Sequence, residues 1–294
     1  MSDCIDLHTH STASDGTDSP AGVVEAAIDA GVTVLALTDH DTTAGWAEAE
    51  QAVRTRADAP TLVRGMEMSC TGRGEDGDPV TVHLLAYLFD ADDPALKEER
   101  RRLREERELR LRRMIGKMAA AGYDVDADAI LDAAGPSAGR PHLARALVDL
   151  GVVSTVGEAF EDLLKTGGRF YVEKTDTPLD DAVAMIAAAG GVSVIAHARA
   201  RKRGRLLHLD HILELARGGV LGGLEVDHPD HDPTDTELLR GIAREHGLIT
   251  TGSSDYHGTN KTTPLAARTT DPEQYATLLD RATGIDVVLP GSSR

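Results

Sequence analysis

Residues 32–40 read Val32-Thr33-Val34-Leu35-Ala36-Leu37-Thr38-Asp39-His40. An apolar, β-branched run of this length, opened after Gly31, reads as a buried strand. It ends directly on an acid and an imidazole. On its N-terminal side Asp18-Ser19-Pro20 opens a helix over 20–30 that Gly31 closes, and Ile5 to Thr9 reads as a strand. On its C-terminal side a helix follows over 43–56, then strands over 61–66 and 80–88. The alternation resumes later with a helix over 179–189, a strand over 192–196, a helix over 209–217, a strand over 223–226, a helix over 236–246 and a strand over 248–251. This rhythm predicts an α/β fold with a mostly parallel sheet or barrel.

The rhythm breaks between about Pro94 and Gly168, where the pattern is helical throughout. Lys97 to Arg113 is a dense charge run with Glu98/Arg102, Glu106/Arg110 and Glu108/Arg112 spaced as i,i+4 pairs. The expectation is a barrel formed by residues 1–95 and 170–294, with residues 96–169 as a helical insert covering the active site.

Composition narrows the function. The 294 residues carry a formal net charge of -18, which disfavours duplex DNA as a partner. A small anionic substrate fits if bound cations reverse the local sign. Aromatic residues make up 3%, so aliphatic side chains and alanine must fill the core. Cys4 and Cys70 form no disulfide framework and suit a reducing, cytoplasmic setting. Residues 1–6 show no basic region followed by an apolar run, and no apolar stretch of about 18 residues occurs, so neither a signal peptide nor a membrane span is expected. Oligomeric state has no signature here.

His8 and His10 flank Thr9, and residues two apart on a strand share a face. By itself this pair is a weak sign of a metal. Asp15 follows in a short polar loop, His40 ends the 32–38 run, Glu67 follows 61–66, His83 lies within the run 81–88, and His197 ends 192–196. Asp255 and His257 follow the strand 248–251. Most of these lie at or just past the C-terminal end of a strand, the edge where parallel α/β folds assemble their sites. Singly, each reads as a cap, a turn acid or a core histidine. Together they read as ligands, and mixed imidazole and carboxylate donors suit Zn, Mn or Fe rather than Ca or Mg.

Those residues, in the segments His8-Thr9-His10, Thr38-Asp39-His40-Asp41, Gly65-Met66-Glu67, His83, Ala196-His197 and Ser254-Asp255-Tyr256-His257, resemble the PHP (polymerase and histidinol phosphatase) superfamily. The opening His10-Ser11-Thr12-Ala13-Ser14-Asp15-Gly16 and Gly139-Arg140-Pro141-His142 are similar to its TrpH-like branch, which includes 3′,5′-nucleoside bisphosphate phosphatases and 5′→3′ exoribonucleases. The resemblance implies a distorted (β/α)7 barrel and two or three divalent ions. It implies one ion held by His8, His10, Glu67 and Asp255, a second by Glu67, His83 and His197 with Glu67 bridging, and a third by Asp15, His40 and His257. Asp15 stands where some relatives have histidine. Glu67, Asp15 and His40 are the expected catalytic residues.

Leu103, Leu111, Met114 and Met118 trace a buried helical stripe on which Arg107 falls, with Arg110 beside it. A guanidinium there requires an anion, either a barrel carboxylate or a ligand, unless its head snorkels to solvent. The resemblance favours substrate phosphate for Arg107, Arg110 and Arg140, with His142 either a further contact or only a helix-start residue. The expected reaction is hydrolysis of phosphate monoesters of small nucleotides, foremost the 3′-phosphate of a 3′,5′-nucleoside bisphosphate. A 5′-nucleotide phosphatase and an exoribonuclease acting on short RNA are the alternatives within the class, and a histidinol-phosphate phosphatase fits less well. A metal-dependent amidohydrolase would not need three insert arginines. A catalytically silent metal-binding module would have lost ligands.

Overall fold

The computed structural model describes residues 3–135 and 137–292; the side chain of Arg203 and residues 1, 2, 136, 293 and 294, on which the ends of the expected barrel and one position of the expected insert fall, lie outside that description. Strands β1 (Ile5–Thr9) and β2 (Val34–Leu37) flank helix α1 (Pro20–Asp29), whose N-cap Ser19 accepts from the Gly22 amide. Helix α2 (Trp46–Arg54) leads to β3 (Thr61–Arg73) and β4 (Pro79–Tyr87). A helical stretch follows: α3 (Pro94–Ala120), α4 (Ala127–Ala134), α5 (Arg140–Asp149), α6 (Val156–Glu158) and a π-helical turn (Ala159–Leu163). The chain then returns through β5 (Thr177–Pro178), α7 (Leu179–Ala188), β6 (Val192–Ile195), α8 (Leu209–Gly218), β7 (Gly223–Asp227), α9 (Pro233–His246), β8 (Ile249–Gly252) and α10 (Pro272–Arg281).

The sheet order is β1-β2-β3-β4-β6-β7-β8, with the two-residue β5 on β3. The β1–β2, β2–β3, β6–β7 and β7–β8 pairings are parallel, whereas β4 runs antiparallel to both β3 and β6. The two ends of the sheet meet where the His10 amide donates to the Tyr256 carbonyl at 2.9 Å. The result is a nearly closed, distorted α/β barrel. Its interior is filled by Ile5, Leu7, Val34, Ala36, Val63, Leu85, Tyr87, Val194 and Ile249. Tyr87 buries its ring there and donates its hydroxyl to the Leu7 carbonyl at 2.8 Å.

The 61–66 strand extends to Arg73, because at Gly65 its pairing changes from β2 to β4. Glu67 therefore lies within β3, just past the point where β2 stops. Helix α3 begins against the barrel core with Leu96 and Leu103 and ends in a separate cluster containing Leu111, Met114, Ile115, Met118, Ile130, Leu143, Leu147 and Phe170. The surface pairs of α3 differ in part from their expected spacing. Glu108–Arg112 forms at 3.0 Å, but Arg102 pairs with Glu99, and Arg110 turns inward. No helix among the described residues is long and apolar enough to cross a membrane. Cys4 and Cys70 are both free.

Candidate metal centre

The strand ends at one mouth of the barrel, with Glu67 from within β3 and His83 from within β4, bring His8, His10, Asp15, His40, Glu67, His83, His197, Asp255 and His257 together. Glu67 sits among them. Its Oε2 lies 3.2 Å from His8 Nε2, 3.1 Å from His10 Nε2 and 3.1 Å from His40 Nδ1. Its Oε1 lies 2.8 Å from His83 Nδ1 and 3.0 Å from His197 Nε2. One carboxylate thus faces two sets of imidazoles with two different oxygens. Asp255 Oδ1 lies 3.5 Å from His8 and His10 and 3.4 Å from His257. Asp15 lies 3.3 Å from His257 Nε2 and 3.7 Å from His40 Nε2.

Local backbone aims these groups. His197 (φ 29°) and Asp255 (φ 54°) adopt left-handed conformations that cost non-glycine residues about 1 kcal/mol or more and turn strand-end side chains sharply. The loop bearing Asp15 is pinned by Asp39, which accepts from the Ser11 amide and from the Ser11 and Ser14 hydroxyls at 2.6–2.8 Å. Gly16 closes that loop so tightly that a Cβ would fall 2.5 Å from the His10 carbonyl oxygen.

The donor set calls for cations. His8 donates Nδ1–H to buried Glu225 at 3.0 Å, which leaves a lone pair on Nε2. That nitrogen faces His10 Nε2 at 3.0 Å. His257 donates Nδ1–H to the Asp255 carbonyl and turns its Nε2 lone pair toward Asp15. Asp15 Oδ1 and His40 Nδ1 are buried without hydrogen-bond partners. Ligand bonds of about 2.0–2.2 Å in a tetrahedral shell separate donor atoms by about 3.4 Å, close to the spacings here. Three groups of donors are compact enough for an ion: His8, His10 and Asp255; His40, Glu67 and His83; and His10, Asp15, His40 and His257. His10 and His40 each fall in two groups, so the sets overlap more than the segregated ligand sets expected from the sequence.

The buried carboxylates draw positive charge, from protons where no ion is bound, into this centre. Burial alone would neutralise His8, but Glu67, Glu225 and Asp255 outweigh it and hold its pKa raised; His10 is raised to about 9 against burial by Asp255 and Glu67. Burial, helped by Arg107 and His10, keeps His40 well below its ordinary value, and burial with Lys261 lowers His257. Glu67 and Asp15 stay ionised despite burial because imidazoles surround them.

Three participants carried no sequence signal. Glu225, fully buried on β7, binds His8 and accepts from the His197 amide and the Ser253 hydroxyl. Carboxylates in this position fix the tautomer of a metal-ligating histidine. His228 approaches Asp255 Oδ2 at 3.5 Å, and Lys261 reaches the same oxygen at 2.6 Å. A lone acid on a buried strand is the only hint Glu225 gave.

The three arginines expected to meet phosphate fall into two distinct settings. Arg107 is ion-paired to buried Asp41 and donates to the Ser69 hydroxyl at 2.8 Å. It thus has the barrel carboxylate that the sequence left open as its partner. Arg110 donates Nε–H to the Val172 carbonyl at 2.8 Å and lies 5.0 Å from the Tyr171 ring centre; Arg140 donates to the Leu164 carbonyl and lies 5.7 Å from the same ring. Neither has a carboxylate within ion-pair distance among the described residues. Burial, then the mutual proximity of the arginines, pushes Arg110 down to about 10, and burial lowers Arg140. His142 caps its own helix: its Nδ1 accepts from the Gly139 amide at 3.0 Å. The insert touches the barrel loops here, since a Cβ on Gly135 would lie 3.4 Å from the Thr12 carbonyl and one on Gly139 3.3 Å from Arg107 Nη1.

Comparison with known proteins gives a consistent set of likenesses. The PHP domain model matches residues 6–116. A 3′,5′-nucleoside bisphosphate phosphatase from Chromobacterium violaceum is 38% identical over 86% of this chain and 87% of its own length. A 5′-3′ exoribonuclease from Haemophilus influenzae is 34% identical over 87% and 91%. Among solved structures, one described as a metal-dependent phosphoesterase from Bifidobacterium adolescentis superposes with a TM-score of 0.87 at 33% identity, covering 96% of this chain and 98% of that one. An amidohydrolase from Chromobacterium violaceum with bound sulfate superposes at 0.81 with 32% identity, covering 99% of each.

Proposed function

The chain belongs to the PHP domain family and is a metal-dependent phosphoesterase, and on that premise we propose that it removes the 3′-phosphate of 3′,5′-nucleoside bisphosphates. The observation that carries the substrate reading is the pair Arg110 and Arg140, buried cations near the metal centre that share one tyrosine and lack a carboxylate. Two such guanidinium groups repel each other, and a second substrate phosphate supplies the missing anion.

The residues divide the work. His8, His10, His83, His197, Asp255 and Glu67 would hold divalent ions, Glu67 offering a different oxygen to each of its two sets of imidazoles, and Asp15, His40 and His257 would hold a third; Zn, Mn and Fe suit this donor set. Bound ions supply Lewis-acid polarisation of the phosphoryl group and activate a water near neutral pH. Glu225 fixes the His8 tautomer, so that Nε2 faces the centre. Asp41 holds Arg107 at the rim, where its charge adds to the field on the transferring phosphoryl oxygens. Arg110 and Arg140 hold the phosphate that does not react, and their binding energy positions the one that does. Ser11 and Ser14 hydrogen-bond to Asp39, and Ser69 to Asp41, so these three hydroxyls are committed to carboxylates, and no covalent enzyme intermediate is invoked. Helices α3 to α6 cover the site and carry its arginines.

The test is a comparison of kcat/KM for adenosine 3′,5′-bisphosphate against both matching monophosphates in metal-loaded protein. The bisphosphate should lead, and equal values for all three would overturn the substrate assignment. A 5′→3′ exoribonuclease acting on short RNA is the second reading, favoured by further basic residues along α3.

A further inference from the structure

A cavity of about 340 Å³ opens between the first turns of α3 and the segment that follows β2. Its polar lining is Thr42, Thr43, Asp92, Lys97, Arg100 and Arg104, and the rest is Ala44 and Ala91. Arg100 is 5% exposed, yet its partners are neutral: Nη1 donates to the Thr43 hydroxyl at 2.6 Å, Nη2 donates to the Ala91 carbonyl, and Nε has no partner. No carboxylate lies within ion-pair distance of Arg100 or Arg104 among the described residues. Burial, then the neighbouring charge of Arg104, lowers the pKa of Arg100, and Asp92 offsets them only in part. Asp92 pairs instead with Lys97 at 2.8 Å. The Thr42 hydroxyl oxygen accepts from the Ala44 amide and that of Thr43 accepts from Arg100, which leaves both hydroxyl hydrogens to donate. Burying a charge without a counter-ion is costly, so a wall of three cations, one carboxylate and two hydroxyl donors attracts an anion.

The lining also limits what that anion is. It contains no aromatic side chain on which a base could stack, and single-stranded nucleic acid is held largely by such stacking. Its apolar part is two alanine methyl groups. A small oxyanion with several acceptor oxygens matches these donors, whereas a nucleoside has nothing here to rest on.

The segment that lines the cavity also carries part of the metal centre. His40 Nδ1 lies 3.1 Å from Glu67 Oε2, and the Asp41 amide donates to the Glu67 carbonyl at 3.1 Å. Asp41 (φ 53°) is left-handed, a conformation that persists in a non-glycine residue only where its surroundings fix it. Its carboxylate holds Arg107, and its carbonyl accepts from Arg104 at 3.2 Å. Thr42 and Thr43 follow at once. An anion that draws Arg104 and the two threonines together therefore acts on the residues that join a metal ligand to the rim arginine.

We propose that this cavity is an effector site for free inorganic phosphate, separate from the barrel-mouth centre, and that phosphate held there slows turnover through Asp41 and His40. Phosphate is what the centre releases, so the cavity reads the accumulation of product. The regulatory half rests on the reading of the centre as a phosphoesterase; the binding half does not.

Equilibrium dialysis of labelled inorganic phosphate against metal-loaded protein tests the site. Wild type should bind one equivalent per chain that Arg104→Ala and Lys97→Glu each weaken about tenfold or more, the worth of one charge-assisted contact. The Lys97 side chain is 63% exposed, so its reversal changes the charge of the wall without disturbing packing. Equal binding by wild type and both variants overturns the site. Steady-state kinetics with adenosine 3′,5′-bisphosphate test the regulation. Added phosphate should lower kcat of wild type as well as raise KM, and in both variants should only raise KM, by competition at the metal centre. A wild-type kcat that phosphate leaves untouched, or lowers equally in the variants, overturns the regulatory role. If Lys97→Glu leaves phosphate binding unchanged but raises KM for a 5′-phosphorylated trinucleotide, the cavity serves a strand instead, which overturns the effector site. A wild type that binds the extra equivalent but hydrolyses no nucleotide refutes the phosphoesterase reading, and the regulation with it, and supports the binding site alone.

Discussion

Replacing Arg110 by methionine separates a substrate-binding arginine from a structural one. A guanidinium whose pKa is pushed from 12.5 to about 10 costs the folded state about 3 kcal/mol while it stays charged. The folded-state value is the lower one, so this penalty is present in full below about pH 10 and fades as the pH rises toward 12.5, when the folded protein gives up the proton. Against it stand the hydrogen bond to the Val172 carbonyl, worth about 1 kcal/mol, and the contact with Tyr171, worth about 1 kcal/mol. Methionine keeps the apolar stem and removes the charge. Arg110→Met should therefore be no less stable than wild type at pH 7, and up to about 1 kcal/mol more stable, by urea denaturation. A charge-assisted contact to phosphate is worth about 1.5–3 kcal/mol, so kcat/KM for the bisphosphate should fall about 10- to 150-fold. Turnover of the matching 5′-monophosphate should fall much less. A variant that unfolds more readily but turns over the bisphosphate as wild type does would refute the reasoning, because Arg110 would then serve the fold alone.

Other substitutions probe the centre itself. Glu67→Gln should lose bound metal and phosphatase rate together, measured by elemental analysis and phosphate release; full occupancy with wild-type rate would remove Glu67 from the centre. Glu225→Gln should weaken metal affinity about 10- to 100-fold while the fold persists, with activity recovering at high metal concentration; unchanged affinity would mean that His8 needs no orienting partner. Asp41→Asn leaves Arg107 buried without its counter-ion and should cost about 3–5 kcal/mol at pH 7. The Arg107 guanidinium overcomes burial and holds the Asp41 carboxyl well below the usual carboxylate range. Wild type should keep its advantage over Asn down to about pH 4 and lose it as the pH falls further toward the folded-state value; a pH-independent difference would contradict the ion-pair account.

Much of the fold is legible because its strands are short apolar runs punctuated by glycine, proline and capping residues, as at Ser19-Pro20 and Gly31. The reversal of β4 is not, since an amphipathic run such as 80–88 carries no mark of its direction. The extension of β3 beyond Met66 escapes notice for a related reason: β-pairing with a later strand, rather than local pattern, keeps 67–73 extended. Helix α10 goes unread although Tyr275, Leu278, Leu279 and Ala282 recur at helical spacing and pack on the barrel. At the metal centre, histidines announce themselves by position at strand ends. Glu225 does not, because one acid inside Gly223–Asp227 looks like an ordinary alternation of polar and apolar residues. Arg107 shows how spacing can place a charge on a buried stripe without naming its partner: Asp41, 66 residues earlier, is brought to it by the barrel. Tyr171, which lies near both Arg110 and Arg140, belongs to a loop in which no periodicity operates.

Product identity tests the central claim most directly. Phosphorus NMR of adenosine 3′,5′-bisphosphate incubated with manganese-loaded protein should show inorganic phosphate and adenosine 5′-phosphate growing in equal amounts, and neither product after chelation of the metal. Adenosine 3′-phosphate as the product, or release of phosphate that chelation leaves untouched, would contradict the account.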